Sequence, residues 1–407
     1  MTDITNYETT SPTAGSAFKV ANLSAGSHRM DVSREWFSRP HDQRFLNLND
    51  LRDYTKRRYD ASETLRLRNR DIEFVAPEAR TMEDTQKLSV GLPNGSEVVP
   101  THWSFGQTAT LAKAPAAYLR TLPSQIAADA LTWGMRQNRE IEEVKAYYQP
   151  DGTTQLHAMT GPDYGRIPDY EVVEAVQQIA GAGTGDCDWK IPGTMDWRTH
   201  IYDPNVPVTK DRTTLFASDR DVFMFLVDDR RPIEIGKLPN GDADLVFRGF
   251  YAKQSEMGSS ALVIATMYLR AICDNRILWG VEGFEEMSIR HSKYAPDRFI
   301  QSAVPALQSY AEGSVKRLQE GVEMAKAAKI ASDDEEALEW LRKRGFPRKR
   351  AAEIAEAVEV EEQRKLRTIW DVTQGITAVA RKIPHQDERL SLEREAGKIL
   401  QKIKVAA

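Results

Sequence analysis

The feature that most constrains this fold is residues 244–293, DLVFRGFYAKQSEMGSSALVIATMYLRAICDNRILWGVEGFEEMSIRHSK. It is the longest near-continuous apolar stretch in the chain, with basic and amide side chains at its edges. Leu245, Phe247, Gly249 and Tyr251 alternate with Val246, Arg248 and Phe250, the period of a strand with Arg248 on one face. Glu256, Met257, Gly258, Ser259 and Ser260 read as a turn in which Gly258 supplies backbone freedom. Residues 261–269 form a second apolar run, so a β-hairpin is the first reading. A buried helix over 261–271 fits equally well, because periodicity does not separate the two at this length. Residues 277–281 continue the apolar pattern, and a strand at 287–291 carries Arg290 outward. This stretch is expected to be the core of the largest domain and its functional surface.

The rest of the chain divides around it. Residues 1–29 are rich in Thr, Ser, Gly, Ala and Asn and read as a disordered tail. Residues 30–304 read as one α+β domain with a mixed, mainly antiparallel sheet. Within it, 98–112 reads as a strand or hairpin, and 124–138 as a helix capped by Ser124. Residues 141–148 and 155–159 read as strands, and a helix capped by Asp169 runs to about 180. Strands follow at 212–218 and 222–227. The segment 239–242 (Pro-Asn-Gly-Asp) is a hairpin turn. From 305 to 407 the pattern is helical and reads as a separate, all-helical C-terminal domain. One helix spans 305–329, with Leu307, Ala311, Leu318, Val322 and Ala325 on its buried stripe. A second opens at Asp333 and a third at Arg348. The last, beyond Pro384, places Leu392, Ala396, Ile399 and Ile403 on one face.

Composition narrows the function classes. The 407 residues carry 55 basic and 60 acidic side chains, a formal charge of -5, so any nucleic-acid site must be a local patch. The two cysteines, Cys187 and Cys273, lie far apart and give neither a disulfide framework nor a Cys-based zinc site. No run of about 18 apolar residues exists to span a membrane. The N-terminus lacks the layout of a signal peptide, and a reducing cytoplasm is the expected compartment.

Catalytic patterns are weak. The seven histidines are scattered, without metal-ligand spacing. The acid pairs Asp219/Asp221, Asp228/Asp229 and Asp242/Asp244 suit a hard cation but more often face water. Glu234 and Lys237 approach a nuclease motif, yet in a regular strand residues three apart point to opposite faces. Gly181, Gly183 and Gly185 follow a helix rather than a strand, which disfavours a phosphate loop. Neither a Walker loop nor a Gly-x-Ser-x-Gly elbow is present, and Cys273 reads as a core thiol. No catalytic residue, metal site or cofactor is assigned.

Several motifs carry a resemblance. The turn SEMGSSAL, the run LRAICDNRI and the strand SIRHS resemble a family of phage- and plasmid-borne proteins of unknown function. TGPDYGRIPDYEVVEAV (160–176) is similar to that family's entry into a helix, and TIWDVTQGIT (368–377) to its C-terminal signature. Where the family usually has Gly after Cys-Thr/Ser-Asn, this chain has Arg276. The resemblance covers roughly 101–381. It implies a mobile-element context and brings no established reaction.

What remains is a constellation of basic, amide and aromatic side chains. Arg248, Tyr251, Lys253, Arg270, Asn275, Arg276, Arg290, His291 and Lys293 fall in the central stretch. Lys343, Arg344, Arg348, Lys349 and Arg350 flank a turn in the helical region. Cations hold phosphates and aromatic rings stack on bases, which is how single strands are bound without sequence preference. The competing reading pairs the central arginines with Glu256, Glu282, Glu285 and Glu286. A further cluster, Lys56, Arg57, Arg58, Arg66, Arg68 and Arg70 with Tyr54 and Tyr59, reads as a solvated face or as a phosphate-contacting arm. The leading expectation is a phage- or plasmid-encoded accessory protein that binds single-stranded nucleic acid and acts in annealing, recombination or replication. A factor that binds a host protein to counter host defence is the second reading, and a metal-dependent hydrolase the third. A homo-oligomer is compatible with all three.

Overall fold

A computed structural model of the chain describes residues 41–78, 80, 87–95, 97–150, 155–196, 201–202, 207–218, 220–238, 241–270, 276–277, 286–312, 316–383 and 386–402. The expected disordered tail at 1–29 lies outside them. The expected α+β class is present: antiparallel sheets, packed helices, and a helical C-terminal part.

Strand β1 (Arg44–Phe45) leads into the helix Leu48–Asp60, where Asn47 caps the N-terminus by accepting from the Asp50 N–H at 2.8 Å. Six strands then build the smaller sheet: β2 (Glu63–Arg68), β3 (Glu73–Val75), β4 (Ser89–Gly91), β5 (Glu97–Pro100), β6 (Glu143–Gln149) and β7 (Gln155–Thr160). Their spatial order is β2-β6-β7-β5-β4-β3, antiparallel throughout except where β5 meets β7. The period of two in ETLRLR decides its faces. Leu65 and Leu67 join Val144, Ala146, Tyr148, Leu156 and Met159 in an apolar core. Phe105 and Ala109 of the helix His102–Leu111, and Ala127, Leu131 and Met135 of the helix Ser124–Gln137, cover that face. Thr64, Arg66 and Arg68 face the other way.

The strand expected over 98–112 ends at Pro100. Thr101 caps a helix there by accepting from the Ser104 N–H at 3.2 Å, so Trp103 and Phe105 are helical. Ser124 and Asp169 are the first residues of their helices, with Pro123 and Pro168 at the cap positions.

Among the described residues the larger sheet has nine strands. After β8 (Trp189–Lys190) and a small ribbon of β9 (Met195–Asp196) with β10 (Ile201–Tyr202) come β11 (Leu215–Ala217), β12 (Val222–Asp228) and β13 (Ile233–Lys237). Then follow β14 (Ala243–Gln254), β15 (Leu262–Arg270), β16 (Arg276–Ile277) and β17 (Glu286–Ile289). The main order is β1-β11-β12-β14-β15-β16, with β8 on β12, β13 on β14 and β17 on β15. The central stretch is therefore a hairpin, Val246 opposite Arg270 through Lys253 opposite Val263, and not a helix over 261–271. Both faces are buried, which explains the continuous apolar run VFMFLVD in β12. Val222, Met224 and Leu226 pack with the helices Leu48–Asp60 and Asp169–Ala180. Phe223, Phe225 and Val227 pack on the opposite side with Phe247, Tyr251 and Leu390.

The region 305–407 is helical in its described part: Val304–Glu312, Lys316–Ala327, Asp334–Arg342, Arg348–Glu362, Ile369–Arg381 and Gln386–Leu400. Two helices thus stand where one was expected over 305–329, and Asp333 caps the next by accepting from the Glu336 N–H at 2.9 Å. These helices share an internal core around Leu341, Ile354, Val358 and Ile376. They also join the sheet. Leu318, Val322 and Trp370 pack on Ile233, Val246 and Tyr268, and Arg270 reaches from β15 to Glu362. The helix Val304–Glu312 runs across the expected boundary at 305.

Candidate functional site

The basic residues of the central stretch are dispersed, not gathered. Arg248 is 1 % exposed; its guanidinium lies 4.6 Å over the Tyr310 ring and donates to the Tyr310 carbonyl. Arg270 is buried and forked onto Asp244, donating through Nε and Nη2 at 2.8 Å each, with further bonds to Glu362 and Gln374. Tyr251 is fully buried. These three hold the molecule together and cannot meet a polyanion, which corrects the expectation that they line its surface. Arg248 and Arg270 engage Tyr310, Asp244, Glu362 and Gln374, and Arg394 donates to the Tyr251 hydroxyl at 3.2 Å. Of the acids expected nearby, Glu282 and Glu285 lie outside the described residues. Lys253 is half-buried on β14, while Arg290 and Lys293 are exposed after β17. Asn275 lies outside the described residues. Arg276 begins β16 opposite Leu269. In the helical region Lys343, Arg344, Arg348 and Lys349 are exposed and Arg350 is half-buried. Glu339 and Glu353 pair with Lys343 and Arg350, and Arg344 lies 3.3 Å over the Trp340 ring.

The side chains that do converge come from other segments. The polar face of the smaller sheet abuts the end of the helix Leu48–Asp60, the loop 161–168 and the turn after β14. A cavity of about 370 Å³ opens between them. Thr64, Arg66, Lys145, Tyr147 and Thr160 form its sheet wall. Their placement follows from register: Arg66 lies opposite Lys145, and Lys145 opposite Thr160, so these three form a row across β2, β6 and β7. Tyr59, Ala158, Tyr164, Arg166, Pro168 and Glu256 complete the lining.

Arg166 organises the floor. Its guanidinium lies 3.8 Å over the Tyr147 ring and 4.7 Å over the Tyr59 ring. It donates to Glu256 Oε2 from Nε (3.3 Å) and Nη2 (3.1 Å), and from Nη1 to Thr64 Oγ1 (3.4 Å). Glu256 is 3 % exposed and takes three further contacts. The Tyr147 hydroxyl donates to its Oε1 (3.4 Å), the Asp169 N–H to its Oε2 (3.2 Å), and the Tyr164 hydroxyl to its backbone carbonyl (3.0 Å). The Glu256 N–H donates back to Asp169 Oδ1 at 3.2 Å. His291, predicted as a site residue, supports this wall from behind. It stacks on Tyr164 with centroids 5.0 Å apart, and its Nδ1 sits 3.0 Å from the Gly165 carbonyl.

Electrostatics follow from that packing. Burial pushes the Tyr147 hydroxyl up to about 12, helped by Glu256, and raises Tyr164 as well. Burial and then Glu256 hold the Asp169 carboxyl well above the usual carboxylate range. Burial draws Arg166 down, but Glu256 and Tyr147 outweigh it and its pKa rises. Lys145 is lowered by burial and by the cation Arg66, against the pull of Asp163. Its ammonium is anchored by donating to the Tyr164 carbonyl at 2.8 Å. The lining thus has three cations, Arg66, Lys145 and Arg166, against the single carboxylate Glu256.

Of the acids considered for a cation, Asp228, Asp229 and Asp244 are engaged by cationic side chains, and Asp219 lies outside the described residues. Arg231 holds Asp228 at 2.7 Å, Lys190 holds Asp229, and Arg270 holds Asp244. Among the described residues no three His, Cys, Asp or Glu side chains are placed to share a metal ion. Glu234 and Lys237 do share a face, contrary to their spacing. A bulge between Glu234 and Gly236 shifts the register, and the two form an exposed ion pair at 3.1 Å. No described helix is long and apolar enough to cross a membrane.

Arg66 and Tyr59 belong to the basic cluster noted in the sequence, whereas Lys145, Tyr147, Arg166 and Glu256 were not identified as site residues. The signal was the alternation of Thr64, Arg66 and Arg68 with Leu65 and Leu67, and of Lys145 and Tyr147 with Val144 and Ala146. In comparison with known protein families, the profile of the family described as Domain of unknown function (DUF932) matches residues 156–398, more than half of the chain. No curated protein and no solved structure matches.

Proposed function

We propose that this chain, which belongs to the family described as Domain of unknown function (DUF932), binds single-stranded nucleic acid through the cleft between its two sheets. One observation carries the reading: three cations face one carboxylate inside an aromatic-walled cavity of about 370 Å³. Such a lining favours a ligand that is anionic and flat, and a nucleotide unit is both. The motif resemblance supports a phage or plasmid context, in which the protein would serve as an accessory factor in recombination or replication. The exposed cations of the helical region, Arg348 and Lys349 foremost, are further groups able to hold phosphates.

The test is a salt titration of fluorescent single-stranded DNA. Binding should weaken steeply with salt, and Arg66→Ala or Lys145→Ala should each reduce the slope by about one. Arg290→Ala, outside the cleft, should leave the slope within error. Absence of binding at low salt would end this reading.

A second reading rests on a different surface. On the helix Ser124–Gln137, Trp133 is 68 % and Ile126 54 % exposed, two turns apart on one face. A protein partner would seat there, and Trp133→Ala would abolish its capture without touching DNA binding.

A further inference from the structure

The cleft is built as a pocket and not as a groove. Its floor is closed by the ion pair between Arg166 and Glu256 and by the paired backbone bonds of Glu256 with Asp169. A cavity of about 370 Å³ admits one nucleotide unit. The buried Glu256 and Pro168 belong to the same lining. The cations are also unequal. Arg166 is committed to Glu256 and to two tyrosine rings. Arg66 and Lys145 stand directly opposite on neighbouring strands at the sheet wall, with Thr160 next in the row.

Like charges placed opposite one another across strands cost stability unless something neutralises them. Arg66 is exposed, and Lys145 is held in position by the Tyr164 carbonyl. A phosphodiester brings one negative charge to this pair. A phosphate monoester brings nearly two, with three acceptor oxygens for a guanidinium, an ammonium and a hydroxyl. Resting on the strand-binding reading, we infer that Arg66, Lys145 and Thr160 form a subsite for a terminal phosphate monoester, so that the cleft takes the end of a nucleic-acid chain. The same chemistry is offered by a free mononucleotide, and the experiment separates the two sources.

Fluorescence anisotropy would compare one labelled DNA oligomer carrying a 5′-phosphate, a 3′-phosphate or only hydroxyl ends and, separately, a labelled mononucleoside 5′-monophosphate with its unlabelled form as competitor. One phosphorylated end should bind about tenfold tighter than the hydroxyl-ended oligomer, the effect of one charge-assisted contact. Arg66→Gln and Lys145→Met should erase that preference without lowering the melting temperature, since each removes one of two opposed like charges. Arg290→Ala should retain it. Equal binding of all three oligomers would overturn the end-specific subsite and leave strand binding intact. Displaceable mononucleotide binding without oligomer binding would keep the monoester subsite and overturn strand binding. Binding of neither would overturn both.

Discussion

Asp169 and Glu256 clasp each other across 87 residues of sequence: the N–H of each donates to the carboxyl of the other, both at 3.2 Å. The clasp joins the start of the helix Asp169–Ala180 to the turn after β14, and Arg166 is held in the same knot.

The clasp should be sensitive to pH. Burial and then Glu256 raise the Asp169 pKa, with Arg58 opposing and Asp221 adding to the rise. A carboxyl raised in the folded state contributes stability that is fully present below its unfolded value and lost as pH rises through its folded one. The melting temperature should therefore carry a component that falls from the ordinary carboxylate range toward neutrality. Asp169→Asn keeps the Oδ1 acceptor and should remove that component. Thermal melts of both proteins from about pH 4 to pH 8 check it; parallel curves would refute the assignment.

Arg166→Ala should destabilise strongly, because it strands a buried carboxylate. Breaking such a pair costs about 3 kcal/mol or more. Adding Glu256→Gln should recover a large part, since the amide needs no counter-charge. Urea denaturation of the two single variants and the double variant measures the coupling.

Arg270 ties β15 to the helical region. Arg270→Ala leaves the buried Asp244 without its cation and Glu362 with only Arg364 at 3.5 Å, a loss of about 3 kcal/mol or more. The same packing predicts that residues 1–304 alone will not behave as a folded domain, because Ile233, Val246 and Tyr268 would be uncovered. Size-exclusion chromatography of that truncation should show aggregation; a monodisperse, cooperatively melting fragment would show the helices to be separable.

Two glycines in one loop make a controlled comparison. A Cβ on Gly165 would sit 1.9 Å from the Ser292 carbonyl oxygen, whereas one on Gly161 meets nothing within 4 Å. Gly165→Ala should displace Tyr164 and Arg166, lowering stability by about 1–3 kcal/mol and weakening ligand binding. Gly161→Ala should stay within about 0.5 kcal/mol of wild type.

The sequence was most informative where one local rule decided the outcome. Alternation in residues 245–251 and the turn at Gly258 marked the central hairpin, and Asp333 marked a helix start. The same alternation already argued against Arg248 as a surface residue. Val246, Phe250 and Ala252 share its strand face and are buried, so Arg248 is buried with them. The Glu234–Lys237 pair was misjudged because a bulge is a property of the pairing and not of one strand. The cleft was illegible for a broader reason. Its walls come from residues 59, 64–66, 145–147, 158–168 and 256, and only the register of β2, β6 and β7 brings the row together.

Strand β1 pairs with β11, and the whole smaller sheet is threaded between them. During synthesis this order imposes a schedule. The nested sheet can close on itself as soon as β7 has left the ribosome. Phe45 and Leu48, by contrast, have no sheet to join until residues 215–217 arrive, a wait on the order of ten seconds at ordinary elongation rates. Phe45 and Leu48 are therefore buried after the nested sheet that follows them in sequence, and slowing translation between residues 160 and 215 would lengthen their exposure to chaperones and proteases.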